Sequence, residues 1–218
     1  MKKITEQVKK LQKQGKTVVA AVSNDRFIGM IGIADQLRQE SKDVLSKLSA
    51  LKVKHTVMLT GDAEPTAQAI ATSLNMTDVR ASLLPADKLM AIKDLRTEFG
   101  AVAMVGDGVN DAPALASANV GIAMGGAGAD AALETADIAL MGDDLTKLPY
   151  TIGLSRKTLR IIKENIIFAL ALKLIALLLV IPGWLTLWIA IFADMGATLL
   201  VVFNSLRLIK TKKVVNRI

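Results

Sequence analysis

The sequence contains no cysteine and only one histidine among its 218 residues. Without thiols, this chain alone can build neither a disulfide framework nor a thiolate metal site. The N-terminal stretch, MKKITEQVKKLQKQ, is polar throughout. It lacks the apolar stretch of a secretory signal, so it is not expected to direct secretion.

Aromatic residues are also scarce, at 4% of the chain, although the net charge is +7. Residues 1–150 hold 17 basic and 18 acidic residues, a net charge of −1, whereas residues 151–218 hold 10 and 2, a net charge of +8. A nucleic-acid-binding face would interleave basic and aromatic residues. Here the basic residues flank two very apolar runs, a pattern typical of a membrane segment. No nucleic-acid partner is therefore expected.

The first two thirds of the chain predict an α/β fold. A helix over residues 4–14 and a β-hairpin over residues 17–33 are followed by a predicted helix over residues 35–51. Short β-branched runs then alternate with helical stretches, which predicts a mostly parallel sheet covered by helices. The strand candidates are residues 55–59, 79–82, 102–105, 120–123 and 138–141, and the helix candidates are residues 65–74, 86–99, 112–118 and 130–135.

The last third predicts a two-helix hairpin in a lipid bilayer. Residues 166–181 are apolar except for Lys173, and residues 185–203 are mostly apolar with Asp194 as their only charge. At about 1.5 Å rise per residue, each run with its flanks can cross a hydrocarbon core of about 30 Å. Basic residues precede the first run and follow the second, which predicts that both ends face the cytoplasm of a multi-pass protein in the cell membrane. A buried hairpin in a soluble protein is the alternative.

Three short motifs fall where predicted strands end or helices begin. They are TGD at residues 60–62, PADK at residues 85–88 and GDGVND at residues 106–111. Ligands of open α/β sheets bind at the carboxyl ends of strands. Thr60 and glycine-flanked backbone N–H groups can hold phosphoryl oxygens, and Lys88 adds a positive charge. Asp107 and Asp111 are oxygen ligands suited to Mg²⁺. Together the motifs indicate phosphoryl transfer. For TGD alone, an ordinary turn is the favoured interpretation.

The string GDGVNDAPAL at residues 106–115 resembles the hinge motif of P-type ATPases of the haloacid dehalogenase superfamily. The resemblance covers essentially the whole chain. It implies that Asp107 coordinates Mg²⁺ and that Lys88 and Thr60 contact the phosphoryl group. It also implies that Asn110 and Asp111 support this site.

The TGD string resembles that of the same family, and Asp35 with Arg38 resembles its D-x-x-R entry into the phosphorylation domain. Asp62 would help to set up the hydrolysis state, while Gly61, Asp35 and Arg38 would join the set that binds ATP and its phosphates. The domains implied are a remnant of the nucleotide-binding domain (residues 1–33), an incomplete phosphorylation domain (residues 34–150) and the last two transmembrane helices with a basic tail (residues 151–218).

The charges in the apolar runs favour one subgroup. Asn165, Lys173, Asp194 and Gly196 fit N-x7-K-x20-D-x-G, which resembles the signature of exporters of Zn²⁺, Cd²⁺ and Pb²⁺. Lys173 lies 8 residues before residue 181, and Asp194 lies 9 after residue 185. Both are therefore about 12 to 14 Å from the turn, near the bilayer centre. We hypothesise that Asp194 is a ligand of the transported ion and that Lys173 is its counter-ion; a purely structural ion pair is the alternative.

The phosphorylated Asp of the family's D-K-T-G-T motif has no match in this sequence. In this superfamily its strand lies between the strands that end at Thr60 and Gly106, so the expected fold is a partial Rossmannoid domain that lacks its nucleophile strand. We therefore expect a part of an ATP-driven metal exporter that is inactive as an isolated chain. The alternatives are a non-enzymatic membrane module that complements or regulates a separate N-terminal half, and a membrane-anchored phosphatase.

Overall fold

The computed structural model describes residues 2–24, 26–34, 37–106, 109–125 and 134–213. The chain divides into two compact units, Met1–Leu148 and Pro149–Ile218. The first unit contains the helices and strands of the predicted α/β part. In chain order these are α1 (Lys2–Gln12), β1 (Lys16–Ser23), β2 (Arg26–Ala34), α2 (Ser41–Ala50), β3 (Val57–Leu59), α3 (Glu64–Leu74), β4 (Asp78–Arg80), α4 (Pro85–Phe99), β5 (Ala103–Gly106), a 3₁₀ turn (Val109–Asp111), α5 (Ala112–Ser117), β6 (Val120–Gly125) and β7 (Ile138–Met141).

The strands of this unit form three small sheets. Strands β1 and β2 make an antiparallel hairpin, β3 pairs with β4 in parallel, and β5, β6 and β7 form a parallel sheet in that order. The predicted parallel pairing is therefore confirmed. The strands do not, however, form one continuous sheet.

The discontinuity lies between β3 and β5. These strands belong to different sheets, and β3 pairs only with β4 while β5 pairs only with β6 within the described ranges. Both strands nevertheless contact the same core, since Val57 and Leu59 of β3 pack against the cluster that contains Met104 of β5. A strand edge with unpaired N–H and C=O groups is costly when it is buried.

Some predicted boundaries differ from the structure, and one predicted helix is only partly described. The helix predicted for residues 35–51 begins only at Ser41, because residues 39 and 40 form a turn closed by a hydrogen bond from Ser41 N to Arg38 O. His55 precedes β3 rather than starting it, and its ring stacks on Phe99 with centroids 4.3 Å apart. Of the predicted helix at residues 130–135, only 134 and 135 are described, and both are helical.

The core of the first unit joins α4, α5 and the three-stranded sheet. Its buried members are Ile92, Leu95, Met104, Ala114, Leu115 and Ala123. These side chains come from helices and strands that alternate along the chain, so one apolar layer holds the sheet and its covering helices together. The carboxyl ends of β3 and β5 lie next to this layer and carry the motifs at residues 60–62 and 106–111.

Gly121 provides a test of this packing. A Cβ at Gly121 would lie 2.8 Å from the backbone oxygen of Leu115, and backbone cannot move aside as a flexible side chain can. We expect Gly121→Ala to lower the free energy of unfolding by about 1–3 kcal/mol. Thermal unfolding of the detergent-solubilised chain, followed by near-ultraviolet circular dichroism, would measure the change.

Gly29 offers a matched control within a strand. A Cβ at Gly29 would meet no atom within 4 Å, so Gly29→Ala should stay within about 0.5 kcal/mol of the unsubstituted chain. Equal stabilities for the Gly121 and Gly29 variants would contradict the packing described above.

The second unit is built mainly of two helices, α6 (Lys147–Val180) and α7 (Leu187–Ser205), followed by a 3₁₀ segment (Leu206–Lys213). The chain turns after α6 through hydrogen bonds from Gly183 N to Val180 O and from Trp184 N to Leu179 O. Thr186 caps α7 by accepting a hydrogen bond from Ile189 N. In the described part of the chain, one helical segment is long and apolar enough to cross a membrane, Leu187–Ile209, with a mean hydropathy of 1.8.

Candidate functional site

A half-buried ion pair lies at the carboxyl end of β5. Lys88 Nζ is 2.8 Å from Asp111 Oδ1, and the two side chains are only 19% and 13% exposed. Hydrogen bonds between ionised groups are stronger than those between neutral groups, and exclusion of water strengthens them further. The pair therefore fixes the position of the Lys88 ammonium group.

Local sequence explains why Lys88 lies there. Pro85 occupies the first turn of α4, where its missing N–H is not needed, and the Asp87 carboxylate accepts a hydrogen bond from Leu84 N. Lys88 N then donates to Leu84 O and closes the first turn. The helix thus begins at a defined residue, and Lys88 is placed one turn inside it.

Gly106 ends β5 beside the other member of the pair. A Cβ at this position would lie 3.0 Å from Asp111 Cβ and 3.1 Å from Asp111 Oδ2. Any larger residue would displace the carboxylate that binds Lys88. The requirement for glycine here is one of space rather than of backbone conformation.

The TGD loop after β3 is held by hydrogen bonds on both sides of its aspartate. Thr60 Oγ1 donates to Asp62 Oδ2 over 2.9 Å, and Asp62 N donates to Thr60 Oγ1 over 3.1 Å. The other carboxylate oxygen, Oδ1, accepts a hydrogen bond from Thr17 Oγ1 over 3.1 Å. Both oxygens of Asp62 therefore accept hydrogen bonds from threonine hydroxyls.

Backbone hydrogen bonds connect the TGD loop with the segment that leads into α4. Leu83 N donates to Thr60 O over 3.0 Å, and Ser82 N donates to Asp62 O over 2.8 Å. Gly61 permits this approach, because a Cβ there would lie 3.3 Å from Leu83 O. The structure thus brings together the strand-end motifs that contain Thr60, Lys88 and Asp111, although these three side chains are not all in direct contact.

Four further residues are predicted for this site. Asn110 is exposed. Asp35 and Asp107 lie outside the described residues. Arg38 binds Asp143, with Nη1 2.7 Å from the backbone oxygen and Nη2 2.7 Å from the carboxylate Oδ2. The Arg38 guanidinium thus bridges to the connection that follows β7.

A nearby carboxylate in that connection has a perturbed pKa. The Thr146 hydroxyl donates to Asp144 Oδ1 over 2.5 Å, and Thr146 N donates to the same oxygen over 2.9 Å. These two hydrogen bonds, and then the charge of Lys147, hold the pKa of Asp144 below its usual range. Asp144 is therefore ionised at neutral pH, as part of a local turn.

Asp111 and Asp107 have the chemistry that Mg²⁺ requires. This ion binds through one or two carboxylates together with waters and phosphate oxygens. Asp111 supplies one half-buried carboxylate beside Lys88. The described residues contain no group of three or more His, Cys, Asp or Glu side chains that could hold a metal without phosphate. These donors fit an ion that is shared with a phosphoryl group.

In the second unit, Lys173 and Asp194 line the same pocket. This pocket has a volume of about 340 Å³ and lies between α6 and α7, where alanines contribute much of its wall. No salt bridge of 4.0 Å or less involves Lys173 or Asp194 among the residues that the structure describes. Lys173 and Asp194, which were predicted to lie at one depth, therefore line one pocket without forming a salt bridge with each other.

Two contacts of the site were not predicted. Thr17 and Asp62 are 45 positions apart, and Arg38 and Asp143 are 105 apart. Neither pair has a local sequence signal, because the contact arises only when β1 lies against the TGD loop and when the end of β7 lies near the start of α2.

Comparison with known proteins places the fold and these motifs in a family of hydrolases. The family model of haloacid dehalogenase-like hydrolases matches residues 1–119. The chain belongs to this haloacid dehalogenase-like family.

More specific similarity extends through the second unit. The chain is 60% identical over 205 residues to a cadmium-transporting ATPase of Staphylococcus aureus and 50% identical over 196 residues to a zinc-transporting ATPase of Bacillus subtilis. These matches cover 94% and 90% of this chain but only 28% and 30% of the two relatives. The crystal structure of a zinc-transporting PIB-type ATPase in the E2.Pi state superposes with a TM-score of 0.81 at 46% identity, covering 94% of this chain and 33% of that one.

Proposed function

We propose that this chain is part of an ATP-driven exporter of Zn²⁺, Cd²⁺ or Pb²⁺ in the cell membrane. In this proposal the first unit supplies the groups that stabilise a phosphoryl group, and the second supplies part of the path of the transported ion. The observation that carries it is that Lys173 and Asp194, in otherwise apolar helical runs, line one pocket. Charged residues in such runs typically mark ion paths.

The residues of the first unit have separate roles in this proposal. The Lys88 ammonium, oriented by Asp111 over 2.8 Å, neutralises charge on the phosphoryl oxygens. The Thr60 hydroxyl and the backbone N–H of Gly61 donate hydrogen bonds to the same oxygens. Mg²⁺, held by Asp107 and Asp111, would supply further neutralisation of that charge. Positioned charge and hydrogen bonds account for much of the catalysis of phosphoryl transfer.

Asp62 has a role after phosphorylation. Its carboxylate is fixed by Thr60 and Thr17, so it can orient a water molecule or the loop itself for hydrolysis of the phosphoenzyme. Asp35 and Arg38 would join the residues that bind ATP and its phosphates, and the Arg38 guanidinium is held by Asp143.

In the second unit, Asp194 would be an oxygen ligand of the transported ion and Lys173 would neutralise Asp194 when that ion has left. Both side chains line the pocket of about 340 Å³, which leaves room for a cation between the helices. The basic residues on both sides of the hairpin favour an orientation with both termini in the cytoplasm.

The nucleophilic aspartate must come from another segment, because D-K-T-G-T is absent from this sequence. The open edges of β3 and β5 support a model in which a further strand fits between them. We expect the isolated chain to form no acid-stable phosphoenzyme when it is incubated with radiolabelled ATP and Zn²⁺.

Complementation tests this expectation. Co-expression of the chain with an N-terminal half of a cadmium-transporting relative, carrying D-K-T-G-T, should restore zinc tolerance to a sensitive bacterial strain. Each half expressed alone is the control. A metal-stimulated phosphoenzyme from the isolated chain would contradict the proposed division of the site. Rescue that persists when D-K-T-G-T is inactivated would favour the non-enzymatic membrane module instead.

A further inference from the structure

A group of polar side chains joins α6 and α7 at the end of the hairpin opposite the turn. Asn165 Nδ2 donates to Ser205 Oγ over 3.0 Å, and Asn204 Nδ2 donates to Asn165 Oδ1 over 2.8 Å. Arg207 Nη1 donates to Asn204 Oδ1 over 2.9 Å and lies 3.5 Å from Glu164 Oε2. We call these five residues the polar clasp.

The clasp satisfies its amide groups within the hairpin. The side-chain N and O of Asn165 each have a partner on the opposite helix, and the oxygen of Asn204 accepts from Arg207. Asn165, Asn204 and Ser205 are half-buried. Among apolar side chains or lipid, an amide without a partner is unfavourable. The helices therefore lose hydrogen bonds if they separate or rotate at this end.

A pocket lies between the two helices in the middle of the hairpin. It has a volume of about 340 Å³, and small residues such as Ala169, Ala176, Ala190 and Ala197 form its wall. Side chains that line an open space lose packing contacts across it. The helices are joined at their two ends, by the turn after Val180 and by the polar clasp.

The clasp also sets the positions of Lys173 and Asp194 along the helix axes. Lys173 lies eight residues after Asn165 on α6. Because α7 runs antiparallel to α6, the position opposite Lys173 lies eight residues before Asn204 and Ser205, at residues 196–197. Asp194 lies two or three residues beyond that position, about 3–4.5 Å along the axis. The flexible four-carbon stem of a lysine can span such an offset.

We propose that the polar clasp positions Lys173 and Asp194 across the pocket, which makes Asn165 and Asn204 positioning residues for the ion path. The effect of the clasp on transport rests on the proposed function, whereas its effect on the geometry of the hairpin does not. Without the clasp, the helices would separate at the open end while the turn still joined them at the other.

The absence of cysteine makes a direct distance measurement possible. Spin labels at the exposed positions Leu170 and Val202 would report the clasp end, and labels at Leu178 and Ile189 would report the turn end. The 218-residue chain would be measured in lipid nanodiscs. In the Asn165→Leu, Asn204→Leu double variant, we expect the distance distribution at the clasp end to become at least twofold wider and that at the turn end to stay unchanged.

Two further variants distinguish positioning from general effects. Thr198→Val removes a pocket hydroxyl that bonds only within its own helix, to Asp194 O, and should leave both distributions unchanged. Asn165→Gln keeps an amide and should restore part of the narrow distribution. An unchanged clasp-end distribution in the double variant would overturn the proposal, and so would equal broadening at both ends, since the clasp would then be a requirement for folding.

A transport measurement separates this inference from the proposed function. In the complete pump, Asn165→Leu should raise the KM for Zn²⁺ about fivefold or more while the maximal rate changes less, because the ligand remains but is misplaced. If the double clasp variant broadens the distance distribution but Asp194→Ala transports Zn²⁺ normally, the clasp is retained and the ion path is rejected. A normal KM in Asn165→Leu, with Asp194→Ala inactive, would reject the clasp as a positioning device and retain the ion path.

Discussion

Asp194→Ala in the complete pump is expected to reduce Zn²⁺ transport about 100-fold or more, since even groups that only orient a metal ligand are worth 10- to 100-fold. The physical reason is the loss of a carboxylate in the pocket between α6 and α7. Uptake of radioactive zinc by inverted membrane vesicles, with the amount of pump normalised, would measure the effect.

The variants Asp194→Asn and Thr198→Val make this experiment specific. Asp194→Asn keeps the size and an oxygen but removes the charge, so it should retain more transport than the alanine variant and less than the unsubstituted pump. Thr198 lines the same pocket, but its hydroxyl donates to Asp194 O of its own helix, so Thr198→Val should reduce transport far less than Asp194→Ala. Undiminished zinc flux in Asp194→Ala would exclude its role as a ligand and leave a structural role for the two charges.

Lys88→Ala is expected to reduce formation of the phosphoenzyme by about 10²- to 10³-fold, the usual effect of removing one positioned donor from a charge-stabilising site. The substitution also leaves Asp111 without its partner at 2.8 Å in a half-buried position. Initial rates of phosphoenzyme formation from radiolabelled ATP in the complete pump would measure the loss.

Lys93 is the matched control for Lys88. It lies on the same helix, α4, and is exposed, so Lys93→Ala should leave the rate of phosphoenzyme formation unchanged. Lys88→Arg keeps the charge but changes its geometry and should recover only part of the rate. A Lys88→Ala pump that forms phosphoenzyme at the normal rate would show that the ion pair with Asp111 serves stability alone.

The contrast between the Lys173 and Asp194 charges and the Lys88–Asp111 pair has a physical basis. Lys88 and Asp111 are in contact and half-buried, so neither can lose its partner without leaving a poorly solvated charge. Lys173 and Asp194 share a pocket without contact. The first arrangement suits a permanent site, and the second suits a site whose partner changes during a cycle.

Several features followed from the sequence because they depend on local chemistry. Periodicity and composition predicted the alternating strands and helices of the first unit, and β7 matches its predicted bounds. The motif at residues 85–88 predicted the start of α4, because Pro85 and Asp87 determine how a helix begins. The start of α2 was predicted too early, because residues 39 and 40 form a turn that is closed by a hydrogen bond from Ser41 N to Arg38 O.

The sequence alone determined which motifs are present: TGD and GDGVND at strand ends, PADK at the start of a helix, and two charges in apolar runs. Only the tertiary structure decided which of these groups meet. It paired Lys88 with Asp111, engaged Asp62 with Thr17 and joined Asn165 to Asn204. It also divided the strands into separate sheets. The reason is that motif chemistry lies within a few residues, whereas these contacts join positions 23 to 45 apart, which come together only through packing of the helices and strands that carry them.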